Sequence, residues 1–87
     1  MLMSKKELTV AAKIVGKNTF INSEDRSIHS IRIYQTNLLT FELEDGKRIV
    51  FNVEPMIYSY YIEGDEGALT YETDSQYVSF ISFKRVR

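Results

Sequence analysis

The stretch LTFELEDGKRIVFNV, Leu39 to Val53, decides the fold class. Leu39, Phe41 and Leu43 recur at every second position, which places them on one face of an extended strand. Beyond Asp45-Gly46 the alternation resumes with Lys47, Ile49, Phe51 and Val53. Two apolar alternations around an Asp-Gly pair form a β-hairpin. Loop length then fixes the register. A two-residue loop at Asp45-Gly46 pairs Phe41 with Val50 and puts the two apolar sets on opposite faces. A three-residue loop, Glu44-Asp45-Gly46, pairs Phe41 with Ile49 and Leu39 with Phe51, so both sets share one face. Burial selects the three-residue loop, because a slip of one residue turns every side chain over. Such a loop is a type I turn followed by a left-handed residue, the position of Gly46.

Upstream, Leu8 to Gly16 reads as another strand, with Val10, Ala12 and Ile14 on one side and Ala11, Lys13 and Val15 on the other. Asn22-Ser23-Glu24-Asp25-Arg26-Ser27 is rich in turn formers and reads as a surface loop. A strand resumes near Ile28 and runs to Leu43, with a break at Thr36-Asn37. Downstream, Pro55 ends the hairpin. Met56 to Ile62 fits two conformations. Tyr58, Tyr61 and Ile62 line one side of a short helical turn that opens on Pro55, while Tyr58, Tyr60 and Ile62 line one side of a strand. Glu63-Gly64-Asp65-Glu66-Gly67 is a tight turn with two glycines able to take positive φ. Leu69 and Tyr71 alternate into a strand that turns at Thr73-Asp74-Ser75. The last strand runs from Gln76 to Lys84, with Tyr77, Ser79, Ile81 and Phe83 on one face and Val78 and Phe80 on the other. The whole chain, residues 1–87 with its core at about 8–85, therefore reads as a single all-β domain. Its expected form is a small five- to six-stranded antiparallel barrel of the OB or SH3 type, with one short helical turn, since closure removes vulnerable edges.

Composition narrows the function classes. With no cysteine among the 87 residues, disulfides and thiolate metal sites are excluded. No apolar run reaches the 18 or more residues of a membrane helix, and no signal peptide is evident, so the chain as written reads as soluble. A net charge of −1 conceals an uneven distribution. Residues 1–17 carry four lysines against Glu7, residues 42–74 carry nine acids against Lys47 and Arg48, and Lys84, Arg85 and Arg87 close the chain. Were the first and last strands neighbours, one face would be basic. Charged termini that keep a small domain soluble account for the same pattern.

Candidate chemistry is sparse. The single histidine, His29, opens a strand and cannot build a multi-histidine metal site. Glu63, Asp65 and Glu66 are the densest acidic group but lack the loop spacing of a calcium site, and turn chemistry explains them. The four glycines form no phosphate-cradling motif. No base stands beside a candidate nucleophile, so no catalytic residues, cofactor or metal are expected and the chain does not read as an enzyme. What rises above this background is the tyrosine cluster Tyr58, Tyr60 and Tyr61, an interaction surface if its rings are exposed and a covering for the core if they are not. Two readings follow: a non-catalytic module that docks another protein or sits near a membrane, and an OB-like binder of a ligand or single-stranded nucleic acid that uses tyrosine stacking. A sequence pI near 5.8 weighs against nucleic acid.

With the strands placed, the sequence resembles the bacterial family known as domain of unknown function 2500. LTVAAKIVGKNT (Leu8 to Thr19) is similar to the family's opening strand, and Leu39 to Val53 to its Phe-Glu…Gly…Phe-x-Val hairpin. Tyr58 followed by EGDEGALTY (Glu63 to Tyr71) matches its tyrosine, its Glu-Gly-Asp-x-Gly turn and its Leu-Thr-aromatic strand, and FISFKR (Phe80 to Arg85) its final strand. The tyrosine spacing in that family favours the helical turn at 56–62. In place of the family's short Gly-Thr turn, ETDSQYV joins the last two strands, which implies a longer hairpin. The resemblance implies a membrane tether ahead of the domain, a segment these 87 residues do not contain, and it implies no activity.

Overall fold

In the computed structural model the described residues are 5–27 and 30–87, with the backbone alone for 22–27 and 30–34. Five strands and one short helix follow in the order β1 (Lys6–Ser27), β2 (Ser30–Leu43), β3 (Arg48–Asn52), α1 (Pro55–Tyr60), β4 (Glu66–Thr73) and β5 (Val78–Arg85). All strands pair antiparallel in one sheet of order β3-β2-β1-β4-β5.

The β2–β3 hairpin has the three-residue loop that burial demands. Leu39 faces Phe51, Phe41 faces Ile49, and the Leu43 N–H donates to the Lys47 carbonyl at 2.8 Å. Gly46 closes the loop at φ 89°, where a Cβ would crowd the backbone. Gly46→Val should therefore cost about 1–2 kcal/mol, read as a lower urea midpoint with an unchanged slope; an unmoved midpoint would contradict this loop.

Every strand contributes to one core: Ala12 and Ile14 from β1, Leu39 and Phe41 from β2, Phe51 from β3, Leu69 and Tyr71 from β4, Phe83 from β5. The sheet curls until its two outer strands face each other, and Phe51 meets Phe80 with ring centroids 5.8 Å apart. Closure stops at that side-chain contact. No backbone ladder joins β3 to β5 among the described residues, so the fold is an open curled sheet and not the barrel expected from strand spacing. β3 has only five residues before Pro55 diverts the chain into α1, which leaves little strand to complete a ladder.

Three further expectations are corrected. Asn22–Ser27 is not a loop: β1 continues through it, Asn22 pairing with Tyr34 and Ser27 with Ser30. Polar composition reports on burial, whereas a two-stranded ribbon needs only backbone partners. The break at Thr36-Asn37 is absent, since Thr36 pairs with Phe20 and Asn37 with Thr19. Asn37 is buried within the strand, where its Oδ1 accepts from Gln35 Nε2 at 2.9 Å. In the last strand a bulge at Ile81 lets Ser82 face Thr70 while Phe80 faces Tyr71. Phe80 and Phe83 thus share the core face and Ile81 turns outward, against the strict alternation read from the sequence. The condition for a basic face is also unmet, since β4 separates the first strand from the last.

Pro55 does open a helical turn, with the Tyr58 N–H donating to the Glu54 carbonyl at 3.0 Å. The Asp74 carboxylate accepts from the N–H groups of Gln76 and Tyr77 and shapes the longer β4–β5 connection; those two bonds hold its pKa below the ordinary value.

Candidate functional site

The tyrosine cluster is built where α1 leaves the sheet. Helical geometry turns Ile57 and Tyr58 toward the core and carries Met56 and Tyr60, one turn apart, to the surface. The chain becomes extended at Tyr61, and the change of direction drives that ring inward. Tyr61 is buried edge-on against Phe83 at 5.1 Å, and its hydroxyl donates to the Phe83 carbonyl. Lys17 of β1 ties the cluster to the sheet. Its Nζ donates to the Tyr61 carbonyl at 2.6 Å and sits 4.3 Å from the centre of the Tyr58 ring.

The three tyrosines named by the sequence are therefore neighbours with different environments. Tyr61 is a core residue, Tyr58 is half-buried beneath a lysine, and Tyr60 is 66 % exposed. Tyr60 stands edge-on to Tyr61 at 4.8 Å, so the exposed ring rests on the buried one. Lys17 lies beyond the end of the strand as read from the sequence, and no local pattern marks it as the partner of residues forty positions away.

Below the cluster, Ile62 to Asp65 forms a turn. Asp65 is buried, its Oδ2 accepts from the Ile62 N–H at 2.9 Å, and Arg85 Nη1 lies 3.6 Å away. Asp65 is thus a structural acid that shapes the turn, and Arg85 balances its charge. Glu63 and Glu66 point into solvent, and among the described residues no group of three or more acids and histidines could hold a metal ion. Gly64 is left-handed at φ 100°, but Gly67 is not part of the turn; it lies inside β4. His29 lies outside the described residues.

Burial, together with Tyr60, raises the Tyr61 pKa above the usual tyrosine value, partly offset by Arg85. The folded state therefore holds this proton at pH values where the unfolded chain has released it. The resulting stability is complete below about pH 10 and is lost as pH rises toward the folded pKa. Tyr61→Phe should cost about 1–2 kcal/mol at neutral pH through the unpaired Phe83 carbonyl. It should also flatten the alkaline limb of the stability curve, measured by urea melts above pH 9. An alkaline limb as steep as in the parent would assign that limb to other groups.

No helix among the described residues is long and apolar enough to cross a membrane. A family model described as "Protein of unknown function (DUF2500)" matches residues 3–84. Among solved structures, the chain is similar to a structural-genomics crystal structure from Proteus penneri ATCC 35198, with a TM-score of 0.74 at 20 % identity over 94 % of this chain and 98 % of that one. At that identity the likeness concerns the fold. No curated protein matches.

Proposed function

The chain belongs to the DUF2500 family, and from that footing we propose that it is a non-catalytic docking module whose partner-facing surface is centred on Tyr60. One observation carries the reading: α1 presents Met56 at 81 % exposure and Tyr60 at 66 %, with Ile62 following at 59 %, above a ring that is locked in the core. An exposed aromatic with little conformational freedom is the usual anchor of a protein interface. Tyr61 supports Tyr60 from below and stays out of contact with any partner. Base stacking is less well served. The better-shielded ring, Tyr58, already carries Lys17, which leaves Tyr60 as a single platform.

A photo-cross-linking residue at position 60, compared in cells with one at Val50 on the exposed part of β3, tests this reading. A discrete adduct from position 60 alone, lost when Met56→Ser and Ile62→Ser are added, is the expected result. Equal adducts from both positions, or none from position 60, would reject it. Recovery of the adduct with membranes would extend the reading to a membrane-proximal module.

A further inference from the structure

The sheet is staggered, and among the described residues the stagger leaves the β2-side edge of the start of β1 without a partner strand. β1 pairs with β4 from Lys6 to Lys13, but with β2 only from Ala12 onward. At Leu43 the β2 strand turns away into the hairpin loop. The Leu43 N–H and carbonyl are both bonded on the β3 side, to Lys47 and Gly46. Ala12, opposite Leu43, must therefore direct its own backbone groups to β4, as Ile14 does toward Gly64 and Asp65. Strand alternation then turns the N–H and C=O of Glu7, Thr9 and Ala11 the other way, toward the space that β2 has vacated.

Side chains beside that edge are complementary to the edge itself. On the outer face lies a groove of about 600 Å³ with a floor of Ala11 and Ala68. Its rim carries Glu42, Glu44 and Glu66 against one cation, Lys13. Lys13 stands between Glu42 and Glu66 in the sheet register, which leaves Glu44 as the acid nearest the free edge. Glu42 is engaged by Arg48, at 3.2 Å, whereas Glu44 is exposed. The free edge carries two lysines, Lys5 and Lys6, at its N-terminal end. On the inner face Leu8 is 38 % exposed, because neither β2 nor β3 extends over it.

We propose that a second copy of this chain occupies the edge, by antiparallel pairing of β1 with β1 about a two-fold axis at Leu8. The register follows from the alternation: Leu8 pairs with its equivalent, Glu7 with Thr9, Lys6 with Val10 and Lys5 with Ala11 of the other copy. Odd-numbered residues here share the outer face, so Lys5 of each copy enters the acidic groove of the other, beside Glu44. The inner-face Leu8 side chains cover each other, and the two sheets join into one of ten strands, twice the five of each copy. Opposite the vacated space the ladder stops at Leu43, so seven residues, Lys5 to Ala11, fit before the β2 hairpin blocks the path. The β5 edge borders a groove of its own, about 430 Å³ between β3, α1 and β5. Phe80 is packed against Phe51 across it and Glu54 is the one charged residue of its lining, so it offers no matching pair of opposite charges.

Sedimentation equilibrium across the micromolar range should show a species of twice the 10.2 kDa chain mass. Thr9→Pro should abolish it and leave the far-ultraviolet circular dichroism unchanged, because the Thr9 N–H faces the edge and not β4. Lys5→Glu and Glu44→Lys should each weaken the dimer roughly tenfold, since two-fold symmetry counts the ion pair twice, and the double exchange should restore it. A monomer at all concentrations overturns the proposal. So does a dimer indifferent to Thr9→Pro or to both charge reversals. Should Thr9→Pro fail to fold, the charge reversals still decide, because both lie on exposed side chains.

Discussion

Gly67→Ala should unfold most of the molecule or lower its melting temperature by more than about 15 °C, although it adds one methyl group. Gly67 lies within β4, paired with Ala12 on one side and Arg85 on the other. A Cβ built there would stand 2.0 Å from the Lys84 carbonyl oxygen and 2.8 Å from the Arg85 Cα. Both obstacles are backbone, so no rotamer change relieves them, and β5 must move away from β4. That movement takes Phe83 off Leu69 and Tyr61 and opens the aromatic core. An effect of about 4 kcal/mol or more falls within the exceptional class for single substitutions, and a domain of this size has little more to lose. Gly16→Ala is the natural comparison. Its new Cβ meets only the Thr40 side chain, at 3.3 Å, which can shift by a few tenths of an ångström. Thermal melts of the two variants should separate widely; a Gly67→Ala protein as stable as Gly16→Ala would show that β5 can be displaced cheaply.

The same residue marks the limit of what the sequence discloses. Reading Glu63 to Gly67 as a turn identified Gly64, whose positive φ is a local matter, and misplaced Gly67, whose need for glycine comes from a strand many positions later in the chain. The β2–β3 hairpin was legible because turn chemistry and apolar alternation lie within the same fifteen residues, Leu39 to Val53, and admit one register. The long β1–β2 ribbon was hidden because Asn22 to Ser27 contain no apolar residue that patterning could register. Bulges follow the same rule. Nothing near Ile81 announces an extra residue; the bulge exists because Phe80 and Phe83 both reach the core from one edge strand. Short strand spacing and the cost of open edges point to barrel closure, yet closure depends on whether β3 and β5 can share backbone bonds, a property of the curl of the whole sheet. In the tyrosine cluster the sequence identified the neighbourhood. The end of α1 decides which ring is anchored and which is presented, since one step from helical to extended backbone separates Tyr60 from Tyr61.

Phe41→Ala should be the most damaging truncation in the core, at about 3–5 kcal/mol. Phe41 is fully buried near the C-terminal end of β2, held by the Ile14 and Ile49 pairings on either side. Its ring is 5.8 Å from Phe51 of β3, and 6.2 and 5.1 Å from Phe80 and Phe83 of β5. Those contacts reach both outer strands of an open sheet, so this ring does through packing what a closing ladder would do in a barrel. Removing it leaves a cavity and also uncouples the two edges, since Phe51 and Phe80 then lose the ring that backs their own contact. For a domain of this length the loss corresponds to about 15–30 °C in melting temperature. Phe20→Ala provides the contrast within one residue type. Phe20 lies in β1 beyond the core and is 53 % exposed, so its loss should stay within about 0.5 kcal/mol. Urea melts of both variants test the argument. A Phe41→Ala protein that unfolds in one transition with a reduced midpoint agrees with it, whereas a midpoint close to that of Phe20→Ala would mean that backbone pairing, and not this ring, holds the curled sheet together.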